Sequence, residues 1–238
     1  MSKVNVLYQH GTMASLVGGL LKGTINISKL LSHGNTGIGT GEGLDGELII
    51  LGGRPYQVNA KGKVKVVSND FTLPFANAHF SNFKSLGNLN NLSQKEFNQK
   101  ILKLTHLSNT FFSVQVKGNF SQVKTRAVVK SEPPYDTLAQ ASSKQKVFSK
   151  KKVSGTLLSY FAPKIFSGVC VGGFHHHFLS KKHDFGGHVL NFHLDSGELY
   201  LQKFDSLDQH LPIHDVDYMS HDFNQDNIIK DINKAEKG

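Results

Sequence analysis

Six of the thirteen histidines in this 238-residue chain lie between residues 175 and 193. Imidazole binds metal ions and exchanges protons near neutral pH, so this density predicts a chemical site. Three of the histidines are consecutive, and a strand places alternate side chains on opposite faces. His175 and His177 therefore share one face of the predicted strand, and His176 lies on the other.

A hairpin would bring a third histidine to the same face. If residues 180–186 form its turn, His177 pairs directly with His188 on the next strand. Directly paired residues on neighbouring strands hold their Cβ atoms within ~5 Å of each other. We therefore expect the imidazoles of His175, His177 and His188 to converge at one point.

Three neutral imidazoles with an open fourth position are typical of a catalytic zinc site. Imidazole also binds iron, copper, nickel and cobalt, so the spacing predicts a metal site more strongly than it selects the metal. An iron site built from histidine and carboxylate is disfavoured, because Asp184 falls in the turn and Asp195 follows the strand. The alternative to a metal site is a set of hydrogen-bonded surface histidines, whose side chains would not need to converge.

The remaining composition is that of an ordinary globular protein. No segment approaches the ~20 consecutive apolar residues of a membrane helix. The first ten residues lack the charged region and apolar core of a secretory signal, so we expect a cytoplasmic protein. Cys170 is the only cysteine, which excludes an intrachain disulfide and is typical of a small buried residue.

The formal net charge of +9 raises the question of an anionic partner such as nucleic acid. The charge is uneven, because residues 201–238 contain four lysines and eight acidic residues, a net charge of −4. The lysines between residues 144 and 152 are predicted to form a solvated face. The chain has no arginine-rich stripe, and its lysine run is not interleaved with several aromatic residues. We therefore expect a small-molecule substrate and neither a nucleic acid nor a membrane.

The first half of the chain predicts helices followed by strands. The predicted helices span residues 13–21, 26–31 and 93–104, the last announced by a capping box of Ser93 and Glu96. Glycine recurs so often in residues 34–43 that we predict turns there, with backbone close to a neighbouring segment. Strands are predicted at residues 47–51, 56–58, 64–66 and 111–129. The last of these contains Lys117-Gly118-Asn119, which predicts a hairpin turn.

The second half is predicted to be mainly β, with strands at residues 153–165, 169–179, 188–194 and 198–204 and a short helix at 227–234. The fold class is therefore α+β, dominated by mixed or antiparallel sheet. We predict two β-rich halves, residues 1–130 and 131–238, packed into one compact unit.

The histidine hairpin, Gly173–Ser180 with Phe185–Leu190, resembles that of the α-acetolactate decarboxylases. Three other segments are similar to the same family in the same order: Leu7–Met13, the pair Gly37–Thr40 and Leu44–Glu47, and Phe112–Arg126. The resemblance covers nearly the full chain. Only the histidine hairpin is highly specific by itself.

The resemblance implies a zinc-dependent enzyme that converts 2-acetolactate to acetoin and CO2 in the acetoin and butanediol pathway. The implied zinc ligands are His175, His177 and His188. The implied catalytic residues are Glu47, Arg126 and Glu236, and the implied substrate-binding residues are Thr40 and Arg126. The resemblance also implies a homodimer.

The chemistry of the implied reaction suggests roles for these residues. Arg126 can pair with the substrate carboxylate or a developing oxyanion, and Glu47 can donate a proton if apolar surroundings raise its pKa. Glu236 would share or relay that proton. Two other functions stay open: a zinc hydrolase that uses metal-bound water, and a non-catalytic module that binds anions or DNA on a related fold.

Overall fold

The computed structural model describes residues 5–237, which form fourteen strands and six α-helices. The strands are β1 (Val6–His10), β2 (Ile25–Asn26), β3 (Thr36–Thr40), β4 (Glu47–Leu51), β5 (Arg54–Val58), β6 (Val64–Val66), β7 (Thr72–Leu73), β8 (Phe75–His79), β9 (Lys84–Ser93), β10 (Phe112–Ala127), β11 (Lys146–Ala162), β12 (Gly173–Ser180), β13 (Gly186–Lys203) and β14 (Ser206–His210). The helices are α1 (Met13–Val17), α2 (Ile27–Leu31), α3 (Gln94–Thr105), α4 (Leu138–Ser143), α5 (Val216–Ser220) and α6 (Ile228–Lys237).

Seven strands form the first sheet, in the order β14-β1-β8-β3-β4-β5-β6. Its neighbours are antiparallel, except that β1 and β14 run parallel. The strand β14 returns the chain to the first sheet after the second sheet is complete. The C-terminal segment that follows β14 is thereby anchored beside the N-terminal strand.

The glycine-rich segment is a central strand, so the prediction of turns at residues 34–43 was wrong for Thr36–Thr40. Local composition favours turns, but β3 lies between β4 and β8 and is fully buried. A Cβ atom on Gly37 would collide with the backbone oxygen of Asn77 on β8. Glycine is therefore needed for close approach of the two strands, as predicted, but within a sheet.

The second sheet has the order β10-β11-β12-β13-β9, and β10 also pairs with β13 along most of its length. The hairpin turn predicted at Lys117-Gly118-Asn119 was wrong, because β10 continues through it. Gly118 lies opposite Gly155 of β11 and Gly197 of β13, and a Cβ atom on it would collide with the neighbouring backbone. The glycine permits close strand packing and does not reverse the chain.

The last two predicted strands, 188–194 and 198–204, are likewise one continuous strand, β13. Strand β11 begins at Lys146, so most of the lysine-rich segment that was predicted as a solvated face is the first part of this strand.

The helices follow their predicted caps more closely than their predicted lengths. The hydroxyl of Thr12 caps α1, which ends at Val17 because Gly18 and Gly19 follow, the latter with φ +80°. Ser93 and Glu96 form the predicted capping box at the start of α3. The predicted C-terminal helix is α6.

The core lies between the two sheets and extends under the helices. Ile38 and Ile49 of the first sheet belong to one apolar cluster with Leu158 and Leu179 of the second. Helix α3 covers the second sheet with Phe97 and its neighbours. A separate cluster joins α1, α4 and α6, and it forms one side of the site described below.

The predicted fold class, α+β with mixed and antiparallel sheets, is confirmed. The division into residues 1–130 and 131–238 stays a prediction, and the second sheet takes β9 and β10 from the first part and β11 to β13 from the second. No helix within residues 5–237 has the length and apolar character needed to cross a bilayer.

The close approach of β3 and β8 at Gly37 gives a direct test of the fold. We expect Gly37→Ala to lower the free energy of unfolding by about 3 kcal/mol or more, because backbone must move to admit the methyl group. The matched control is Gly52→Ala, at φ +59° with open space around it, for which backbone strain alone should cost about 1 kcal/mol. Denaturant unfolding curves measure both. Equal losses would contradict the packing described for β3.

Candidate active site

The predicted hairpin register is observed: His177 of β12 pairs with His188 of β13. The Nε2 atom of His175 lies 2.9 Å from Nδ1 of His188 and 3.3 Å from Nε2 of His177. Among residues 5–237, these three histidines are the group whose ligand atoms lie close enough together to hold a metal ion. His176 is on the other face, where its Nδ1 contacts the Ser159 hydroxyl.

The surroundings of the three imidazoles keep their lone pairs available. Nδ1 of His177 donates a hydrogen bond to the carbonyl oxygen of Leu48 at 3.1 Å, which leaves Nε2 unprotonated toward the site. Burial is the main cause that lowers the pKa of His175, His177 and His188, and the nearby Arg126 guanidinium adds to it. Neutral imidazole is the form that binds metal.

Two carboxylates and one guanidinium lie against the histidines. Arg126 Nη1 contacts Glu47 Oε1 at 3.3 Å, and Arg126 Nη2 contacts Glu236 Oε1 at 3.0 Å. The second oxygen of Glu47 lies 3.6 Å from Nε2 of His177, and that of Glu236 lies 3.6 Å from Nε2 of His175. All three charged side chains are more than nine-tenths buried.

Three separate elements position these charged side chains. Arg126 is near the end of β10, where it is paired with His188 of β13. Glu47 is the first residue of β4, directly opposite Thr40 of β3. Glu236 is on α6, which packs through Ile232 and other apolar side chains onto the cluster of α1 and α4.

Burial and the neighbouring charges both change the pKa of Glu47. Desolvation raises the pKa of Glu47 to about 7, Arg126 opposes this increase, and the Glu236 carboxylate reinforces it. With both glutamates ionised, the two carboxylates and one guanidinium leave a net charge of −1. A buried net charge is costly unless a counter-ion or a proton neutralises it.

These residues fit a divalent metal such as zinc. A tetrahedral zinc site with Zn–N bonds of ~2.0 Å places its ligand nitrogens about 3.3 Å apart, close to the separations observed. The buried Oε2 atom of Glu236 has no hydrogen-bond partner and faces His175 and His188 at 3.6 and 3.7 Å. A bound cation would satisfy this oxygen and offset the negative charge.

The charged residues and the three histidines line a narrow cavity of about 40 Å³. Thr40 lines it too, but its hydroxyl donates a hydrogen bond to the carbonyl oxygen of Gly46 at 2.8 Å. All seven site residues named from the sequence therefore border one space, while their chemical roles stay predictions. Six apolar side chains of one cluster, here called the apolar wall, line it as well: Met13, Leu16, Leu44, Phe75, Val128 and Leu138.

Sequence reasoning missed this apolar wall as part of the site. Met13 and Leu16 repeat at helical spacing, which indicates burial without saying what is buried against them. It also missed Glu42, whose carboxylate accepts hydrogen bonds from the Gly23 amide and from the Thr72 and Tyr135 hydroxyls. Glu42 thereby fixes the segment that leads to Glu47. The available signal was its position, because Glu42 lies between the two segments that resemble the decarboxylase family, Gly37–Thr40 and Leu44–Glu47.

The histidine geometry predicts the metal stoichiometry. Purified protein loaded with zinc should hold one ion per chain. We expect His177→Ala to weaken zinc binding by more than ~100-fold, since loss of an outer-shell partner alone costs ~10–100-fold. The matched control is His176→Ala, which removes a buried imidazole from the opposite face and should keep one zinc ion per chain. Metal analysis after dialysis against a competing chelator measures both, and equal retention by the two variants would contradict the assigned ligands.

Comparisons with known proteins agree with this geometry. A sequence profile of the family described as alpha-acetolactate decarboxylase matches residues 7–225. The alpha-acetolactate decarboxylase of Streptococcus thermophilus is 35% identical over 240 residues, covering 99% of this chain and all of the relative. That of Methanosarcina mazei is 37% identical, over 98% of this chain and 81% of its own length.

Solved structures give the same result. The alpha-acetolactate decarboxylase of Bacillus subtilis strain 168 matches with a TM-score of 0.93 and 28% identity, over 98% of this chain and all of that one. A Staphylococcus aureus protein described as similar to alpha-acetolactate decarboxylase matches with a TM-score of 0.93 and 34% identity, with the same coverage. This chain therefore belongs to the alpha-acetolactate decarboxylase family and is, as its sequence predicts, a carboxy-lyase.

Proposed function

We propose that this protein is a zinc-dependent decarboxylase that converts 2-acetolactate to acetoin and CO2. The observation on which this proposal rests is the convergence of three imidazole nitrogens beside Glu47, Arg126 and Glu236 in one buried cavity. Membership of the family supports the reaction, and the donor set supports the metal. Acetoin biosynthesis, a homodimeric state and a cytoplasmic location stay predictions from the sequence.

The reaction breaks the bond between the carboxylate carbon and the hydroxyl-bearing carbon of the substrate. The electron pair of this bond moves toward the neighbouring ketone oxygen, which gives an enediolate, and a proton must then add to the carbon that lost CO2. A site for this reaction must therefore bind an anion, stabilise charge at two vicinal oxygens and hold one transferable proton.

Arg126 is suited to the anionic part of the substrate. Its two terminal nitrogens contact Glu47 and Glu236, while its Nε–H is buried without a hydrogen-bond partner. This N–H has no protein partner and is available to a substrate oxygen. Because a carboxylate holds each terminal nitrogen, the plane of the guanidinium is fixed before substrate binds.

Glu47 is suited to hold the proton. Its pKa, raised to about 7 by burial, keeps a substantial protonated fraction near neutral pH. The carboxyl group lines the cavity, and its second oxygen lies 3.6 Å from Nε2 of His177 on the histidine hairpin. Glu236 contacts the same guanidinium, and the charge of its carboxylate adds to the raised pKa of Glu47.

His175, His177 and His188 would hold the zinc ion. When bound, zinc supplies Lewis acidity toward the ketone and hydroxyl oxygens of a 2-hydroxy-3-keto acid. The apolar wall would contact the methyl groups of the substrate and exclude water from the site.

The reaction is tested by measuring acetoin formed from fresh 2-acetolactate. Zinc-loaded protein should form acetoin well above the spontaneous rate, chelation should abolish the excess, and returned zinc should restore it. Acetoin at the background rate from protein shown to hold one zinc per chain would refute the proposal. Hydrolysis of an ester or amide by the same preparation would then favour the hydrolase function.

The role of Glu47 predicts a large loss on substitution. We expect Glu47→Gln to lower kcat about 10²–10⁴-fold, because the amide cannot donate a carboxyl proton. The matched control, Glu132→Gln, makes the same change of charge at an exposed residue paired with Lys130 and should leave kcat unchanged. Both variants are compared with wild type at equal zinc content, and their melting temperatures are measured to show that each is folded. A Glu47→Gln enzyme within a fewfold of wild type would remove Glu47 from the mechanism.

A further inference from the structure

Leu44 has a backbone conformation that leucine rarely adopts. Its φ is +59°, and its side chain is buried and lines the active-site cavity. Among the described residues that line this cavity, it alone is a non-glycine residue with positive φ. The left-handed region places Cβ too close to the following carbonyl oxygen, so glycine is normally found there. Glycine stands at both neighbouring left-handed positions, Gly43 and Gly46, but not here.

The strained conformation is held from several directions. The amide of Gly43 donates to the Leu21 carbonyl oxygen at 2.8 Å, and the Ser131 amide donates to the Gly43 carbonyl oxygen at 2.7 Å. On the other side of Leu44, the side chain of Gln57 donates to the Asp45 carbonyl oxygen at 2.5 Å. Strain that persists under such restraint is typical of functional sites.

These hydrogen bonds fix the backbone on both sides of Leu44, and its buried side chain has little room to move. Met13 and Leu16 reach the same cavity from α1, and Leu138 reaches it from α4, a helix of six residues. Those two helices pack on α6 in the same apolar cluster as Leu44, and their side chains come from regular helical backbone. Leu44 is on the same segment as Glu47, so it cannot withdraw without displacing the carboxyl group.

We propose that Leu44 is a specificity-determining residue that limits the size of the alkyl groups on the 2-hydroxy-3-keto acid. This inference rests on the proposed decarboxylase function. The histidines, glutamates and Arg126 that line the cavity would take the carboxylate, ketone and hydroxyl groups of the substrate, so its two alkyl groups would lie against the apolar cluster that includes Leu44. A leucine on restrained backbone in this cluster excludes a longer chain more effectively than a side chain that can move. One methylene in an apolar pocket changes kcat/KM by about 10–200-fold.

The test compares kcat/KM for 2-acetolactate with that for two homologues, one with ethyl on the hydroxyl-bearing carbon and one with an ethyl ketone. Leu44→Ala should raise the ratio of homologue to 2-acetolactate at least ~10-fold for one of the two homologues. The matched control is Leu21→Ala, which truncates the same side chain in the same apolar cluster without lining this cavity. It should lower stability and leave the ratio unchanged.

A second variant guards against misfolding. Leu44→Gly removes the side chain and suits the positive φ, so it should fold at least as readily as Leu44→Ala and shift the ratio in the same direction. Unchanged ratios in active Leu44 variants would overturn the inference and leave the decarboxylase function intact. An equal shift in Leu21→Ala would also overturn it. Wild-type protein that decarboxylates none of the three acids would instead refute the proposed function.

Discussion

Arg126 is buried between the carboxylates of Glu47 and Glu236, and both carboxylates reach to 3.6 Å from a histidine nitrogen. These charges come from β10, β4 and α6, so the ion pairs tie both sheets and the C-terminal helix to one point. Removing one member of such a buried group typically costs ~3–5 kcal/mol, because an uncompensated charge remains. The same group has one more negative than positive charge when both glutamates are ionised, which favours a cation beside it.

The function proposed for the site follows from this burial. Desolvation keeps the imidazoles neutral for metal binding. It also raises the pKa of Glu47 to about 7, so that this carboxyl can exchange a proton near neutral pH. Arg126 opposes the second effect, because its positive charge stabilises the ionised Glu47 carboxylate. The apolar wall completes the arrangement, because it keeps water from solvating the charges. The charged side chains and the apolar wall thus border one small cavity.

Features that depend on local periodicity, such as the pairing of the histidines, were predicted best from the sequence. Strand alternation and one turn were sufficient to pair His177 with His188. Glycine was misleading at residues 36–40, because its local preference for turns cannot reveal that another strand approaches closely. The glutamates around Arg126 are 79 and 110 positions away in the chain, so only the resemblance to a family suggested them. Leu44 was missed as a site residue, because its positive φ arises from tertiary hydrogen bonds that composition does not encode.

X-ray absorption at the zinc edge, on protein loaded with one zinc ion per chain, tests the central claim most directly. The structure predicts three imidazole nitrogens at ~2.0 Å with the remaining coordination completed by oxygen. The characteristic multiple scattering of imidazole rings distinguishes them from other nitrogen ligands. A zinc ion bound by fewer than three imidazoles, or by the sulfur of Cys170, would contradict the account of this site.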